Sequence, residues 1–197
     1  MPDNIYRGII NLHCEMRAED TAPENNKMTV SGYALRFNDP TVLFSIGDTD
    51  YKEVILPGAF DGCDMADVIF DRGHAIEDKI LARTANGTLT LMVDEIGLKF
   101  TAEIANTQEG RDTYELIKRG DVGQCSFAAE IREESYDTEA HLRKIIRFKK
   151  LYDVAAVTFP AYNNTEVSVE MRNAFGIGGK PPDKDFEINK QKLLLKF

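Results

Sequence analysis

Tryptophan is absent from this chain of 197 residues, and cysteine occurs only three times, at Cys14, Cys63 and Cys125. An odd, widely spaced set argues against a disulfide framework and against a zinc knuckle, and it fits a reducing interior such as a cytoplasm. Long apolar runs are missing too, so no membrane span is expected, and residues 1–7 lack the apolar centre of a secretion signal. Clustered basic residues are scarce. Lysine and arginine number 24 against 33 aspartates and glutamates, a net charge of −9. That balance argues against broad affinity for nucleic-acid phosphates and suits a soluble protein or one with basic partners. No metal or organic cofactor is indicated.

What is present is enough to build a core. Apolar residues make up 43% of the chain, with eleven Phe and seven Tyr supplying the bulk. Alternating apolar patterns predict strands at residues 8–17, 28–37, 51–56, 67–70, 80–83, 88–93, 98–104, 124–131, 142–149 and 151–159, with a further one at 167–171. Residues 18–27 read as a turn, 57–60 as a short helical turn opened by Pro57, and 94–97 as a hairpin. One convincing helix spans 107–119. Thr107 is its N-cap, Glu109 lies in its first turn, Lys118 and Arg119 in its last, and Gly120 stops it.

Many short strands, one helix and no βαβ rhythm predict a mainly β, α+β fold: a closed or partly open barrel, or a sandwich. Composition changes after Asn173. Residues 1–173 form the expected domain, with its core at about 28–172. Residues 174–197 read as a Gly/Pro linker and a short amphipathic tail.

Three residues have chemistry to offer. Ser126 lies in the predicted strand 124–131, where Cys125, Phe127, Ala129 and Ile131 share the core face and Ser126 shares the less apolar face with Gln124, small Ala128 and Glu130. His74 follows Asp71-Arg72-Gly73, and an imidazole suits general-base work near neutrality. Asp153 interrupts an apolar run, and a carboxylate there needs a partner. That partner is either an imidazole or a cation such as Lys149, Lys150 or Arg83. Ser126 also reads as an ordinary strand serine, and His74 as a loop histidine. Cys125 faces the core and reads as an inert thiol. His13 and His141 have weaker settings. A hydroxyl, an imidazole and a carboxylate on separate segments are the parts of a serine hydrolase, and no Gly-x-Ser-x-Gly elbow is present.

The order of short motifs carries more. They are Gly32-Tyr33-Ala34 with Phe37; Glu53-Val54-Ile55-Leu56-Pro57-Gly58-Ala59-Phe60; His74 followed by Arg83; Asp94-Glu95-Ile96-Gly97-Leu98 with Phe100; Gly110-Arg111-Asp112 and residues 117–120; Ser126-Phe127; and residues 151–154 with Thr158-Phe159-Pro160-Ala161. From about Val30 to Arg172 this series resembles the prohead (capsid maturation) serine proteases of tailed bacteriophages, distant relatives of herpesvirus assemblin. The resemblance implies a herpesvirus-protease-like barrel with Ser126 as nucleophile, His74 as general base and Asp153 as the orienting acid. It implies as substrates the major capsid protein, scaffold segments and the protease itself, inside the assembling prohead in the host cytoplasm. A homo-oligomer is compatible with it, and neither nucleic acid nor membrane is an expected partner. The chain departs from the family pattern in Gly73-His74-Ala75, Cys125, Ala128, Ala155 and Asp153, one methylene shorter than the more common Glu, which keeps a non-catalytic capsid-assembly module as the alternative.

Overall fold

The computed structural model describes residues 27–76 and 79–158 in full, together with the backbone of two short strands at 5–8 and 17–19. The chain divides into two units between Asn164 and Thr165, and everything described lies in the first. Its elements are β1 (Ile5–Gly8), β2 (Arg17–Glu19), β3 (Met28–Arg36), β4 (Thr41–Ile46), β5 (Thr49–Ile55), β6 (Ile69–Arg72), β7 (Ile80–Arg83), β8 (Leu89–Val93), β9 (Gly97–Ile104), α1 (Gln108–Arg119), β10 (Gln124–Asp137) and β11 (Leu142–Val157). A mainly β fold with one α-helix is therefore what forms. The described strands pair into two sheets, one in the order β2-β3-β9-β8 and a larger one in the order β1-β10-β11-β5-β4, with β6 on β11 and β7 on β6.

The long strand β11 is the spine of the larger sheet. Its whole length pairs antiparallel with β10. Its other edge is divided: Leu142–Ile145 runs parallel to β5, and Asp153–Ala156 runs parallel to β6. Bulges at Ala128/Ala129 and at Glu130 to Glu134 accommodate the twist that a pair this long accumulates.

The core is aromatic and aliphatic. Phe148 packs against Phe60 (centroids 5.2 Å apart) and edge-on to Phe127 (5.8 Å), and Phe70 stacks on Phe100 (5.1 Å). Val30, Leu35, Leu81, Leu98 and Val154 complete it, all buried. Each such side chain contributes about 1.5–3 kcal/mol by leaving water.

The helix forms where its caps stand. Thr107 accepts the Gly110 N–H, and Gly120 turns left-handed at φ 85°. Several local expectations differ from what forms. β4 was not anticipated, because Thr41–Ile46 follows directly on the breaker Asn38-Asp39-Pro40; pairing with β5 overrides that signal. The separate strands expected at 142–149 and 151–159 are one strand, since Lys149-Lys150 is a solvated segment of a continuous ladder. Residues 57–60 make successive turns and no helix, because Gly58 (φ 81°) and Gly62 (φ 73°) are left-handed. β2 occupies part of the expected turn at 18–27. Strands stand at both ends of the expected one at 8–17, while residues 9–16 lie outside the described set, as do 159–197 with the expected strand at 167–171 and the linker and tail.

Candidate active site

Pairing around β11 sets out two rows of side chains on one face of the larger sheet. Ser126 on β10 lies opposite Ala155 on β11, which lies opposite Asp71 on β6. Ala128, Asp153 and Ile69 form the neighbouring row. The opposite face of β10 carries Cys125, Phe127 and Ala129 into the core, as expected from alternation. The Ser126 face is not open, however: Ser126 is 1% exposed and Ala128 2%. β10 is buried on both faces here because His74 and its loop cover the second one.

His74 lies two residues beyond β6. Gly73 at φ 71° and His74 at φ 61° are both left-handed, which reverses the chain back over the sheet. The Gly73 N–H donates to the Ala156 carbonyl (3.1 Å), and the His74 N–H donates to Asp71 Oδ1 (3.0 Å). The ring then joins two strands. Its Nδ1 lies 2.9 Å from Asp153 Oδ1 and its Nε2 lies 2.8 Å from Ser126 Oγ. A carboxylate only accepts, so Nδ1–H donates to Asp153 and Nε2 is left to accept the Ser126 hydroxyl proton. Asp153 is 1% exposed and the His74 side chain 12%, so the Nδ1–H bond is shielded from water while the ring keeps a wet edge. Small Ala128 and Ala155 leave the space above the sheet that the imidazole needs.

The competing partners for Asp153 are engaged elsewhere. Arg83 binds Asp67 with two short hydrogen bonds, Lys149 binds Glu130 and Lys150 binds Asp64. Cys125 is fully buried in the core. Burial and neighbouring Asp64 push the Cys63 thiol up to about 11, so it is a poor thiolate. His141 packs at a tilt against Tyr51 (centroids 4.8 Å apart) at the tip of the β10–β11 hairpin, and His13 lies outside the described residues.

His74, with the buried Ser126 behind it, lines a cleft of about 530 Å³. Arg72, Gly73, Ala75 and Lys79 line one side, and Ala156, Val157 and Thr158 the other. Among the described lining residues two are cationic and none is acidic. Among the described residues no three His, Cys, Asp or Glu side chains gather as a metal site, and no helix is long and apolar enough to cross a membrane. Asp71, Arg72 and Lys79 were not singled out from sequence as site residues. The signal for Asp71 was there: an aspartate three residues before a position that needs a turn is a common local acceptor.

A hydroxyl, an imidazole and a buried carboxylate in one hydrogen-bonded line, beside a cleft on a β scaffold, define the class of serine hydrolases. The chain belongs to the caudovirus prohead serine protease family, whose sequence profile matches residues 13–175. It is a serine peptidase of bacteriophage capsid maturation, with capsid-related substrates within the assembling capsid in the host. No curated protein and no solved structure was found to match it.

Proposed function

We propose that the chain is an endopeptidase in which Ser126 is the nucleophile, His74 the general base and then acid, and Asp153 the group that orients the imidazole. The observation that carries this reading is the pair of contacts on one ring, 2.8 Å to Ser126 and 2.9 Å to Asp153. His74 Nε2 takes the Ser126 proton as Oγ attacks the peptide carbonyl carbon. The imidazolium forms beside Asp153 and returns that proton to the leaving amine, giving the acyl-enzyme. Water, deprotonated by the same nitrogen, then attacks the acyl carbon; the Oγ–C bond breaks, the imidazolium returns its proton to Ser126 Oγ, and the new carboxyl terminus leaves. Oxyanion donors are best sought among the main-chain N–H groups at the Ser126 end of β10 and of Val157 and Thr158, which line the same cleft.

The substrates in this reading are segments of the major capsid protein, scaffold segments and the chain itself, met inside the prohead in the host cytoplasm. The protease domain is taken as residues 1–173, a partly open barrel akin to herpesvirus assemblin, and the Gly/Pro-rich 174–197 as a self-cleaved segment or tether. A fluorophosphonate probe tests the chemistry. In assembled proheads it labels the wild-type chain, not Ser126→Ala, and labels His74→Ala far more slowly. Absence of labelling in assembled material returns the non-catalytic assembly module. Intact masses of the wild type and Ser126→Ala after long incubation test self-cleavage, and identical masses remove it.

A further inference from the structure

Asp71 takes no part in the proton transfers above, yet it is a wholly buried carboxylate in the same row as Ser126, with only the Ala155 methyl between them. Burying a carboxylate is unfavourable unless its interactions repay the lost water. One such interaction is the hydrogen bond that its Oδ1 accepts from the His74 main-chain N–H at 3.0 Å. That N–H belongs to a residue whose backbone is left-handed without being glycine, at φ 61°, as also at Asn38 and His141 among the described residues. Were His74 to relax to an ordinary negative φ, its Cα–Cβ bond would swing away and the ring would lose one of its two contacts. The Gly73 N–H is held separately by the Ala156 carbonyl, so the chain is fixed up to Gly73 without help from Asp71. What Asp71 adds is the next peptide.

We propose that Asp71 is a positioning residue: by accepting the His74 N–H it holds the backbone in the one conformation from which the imidazole meets Asp153 and Ser126 together. The proposal rests on the triad reading given above. A charged acceptor in a site sealed from water makes a shorter and stronger bond than a neutral one. Misplacement of a catalytic group by about 1 Å is enough to lower a rate about 100-fold.

The test uses the full chain in three variants. Asp71→Asn keeps an Oδ1 acceptor. Asp71→Leu keeps the volume, removes the acceptor and leaves no buried charge, which favours a folded product. Asp71→Ala removes both volume and acceptor. Two readouts are taken on protein shown to be folded by near-UV circular dichroism: the rate of Ser126 labelling by a fluorophosphonate, and the low-field proton resonance of His74 Nδ1–H in its bond to Asp153. The Asn variant is expected to label within about threefold of wild type and to keep the resonance. The Leu and Ala variants are expected to label about 10–100-fold more slowly, at unchanged KM for a peptide substrate, and to lose or shift it. A folded Leu variant with wild-type rate and resonance overturns the proposal, and so does an Asn variant as slow as Leu. If Ala does not fold, the Leu–Asn comparison decides. If wild type never labels, in assembled proheads as well as free, the triad reading falls, while the resonance still decides whether Asp71 positions the ring.

Discussion

A histidine at φ 61° is an unusual choice, because a β-carbon in the left-handed region costs about 1–2 kcal/mol. The surrounding bonds hold it there: Asp71 on its main chain, Asp153 and Ser126 on its ring. Strain kept at one residue by three partners marks a position whose geometry matters more than its stability. At this scale Asp153, the proposed orienting carboxylate, is the sharpest test. Asp153→Asn replaces an acceptor with a group that can donate, which favours the tautomer that carries its proton on the Ser126 side. We expect kcat to fall by about 10³–10⁴ with KM changed little, measured on a peptide substrate with folding checked by circular dichroism. A fall of less than tenfold removes Asp153 from the mechanism. Ser126, His74 and Asp153 were each legible as residues, since a polar group on an apolar segment needs an explanation. Asp71 was legible only as a local turn acceptor, because nothing in the sequence shows its burial beside the site.

At the scale of elements, β11 joins two regions that do different work. Its Asp153–Ala156 half carries the site, and its Leu142–Ile145 half meets β5. There Arg143 bridges two carboxylates, lying 3.2 Å from Glu53 and in direct contact with Glu134, beside the ring of Tyr136. Burial outweighs the Arg143 charge and pushes the Glu53 carboxyl up to about 7, from 4.5 in a free side chain. The folded state thus holds this proton more tightly than the unfolded one. Glu53 contributes stability that is complete below about 4.5 and is lost as pH rises through about 7, a change of at most about 3 kcal/mol. Urea unfolding of wild type and Glu53→Gln across that range should show the wild-type advantage shrinking with rising pH. A constant difference refutes the assignment. Gly110 in α1 gives a second prediction at this scale. Alanine is the better helix former, but a β-carbon at Gly110 would stand 1.9 Å from the Ala105 carbonyl oxygen. Gly110→Ala should therefore destabilise by about 2 kcal/mol or more, seen as a lower Tm, where propensity alone predicts a gain. The helix and most strands were legible here because caps and alternation are local. β4 and the unbroken run of β11 were not, since each depends on a partner strand distant in sequence.

Charge is a property of the whole molecule. The chain carries a net −9, yet the described lining of its cleft holds Arg72 and Lys79 and no acid. Cations on the described lining favour acidic peptide segments over basic ones, and with Lys79 already 3.9 Å from Glu109 that preference falls mainly on Arg72. Arg72→Ala should raise KM about tenfold for peptides with Asp or Glu beside the scissile bond, leave kcat nearly unchanged, and blunt the salt dependence of kcat/KM. Equal KM values for acidic and neutral peptides in the wild type would remove this selectivity.

The sequence by itself determined the fold class, the helix with its caps, and the family, because those reside in local patterns and in the order of short motifs along the chain. Only the tertiary structure decided that His74 stands between Ser126 and Asp153, that Asp71 is buried beside them, and that Arg72 and Lys79 line the cleft. Residues 71, 74, 126 and 153 converge through two strand pairings on β11 and a left-handed reversal after β6. The His74 contacts with Ser126 and Asp153 join segments tens of residues apart, where no local propensity reaches, whereas the Asp71 contact is local and only its burial is tertiary.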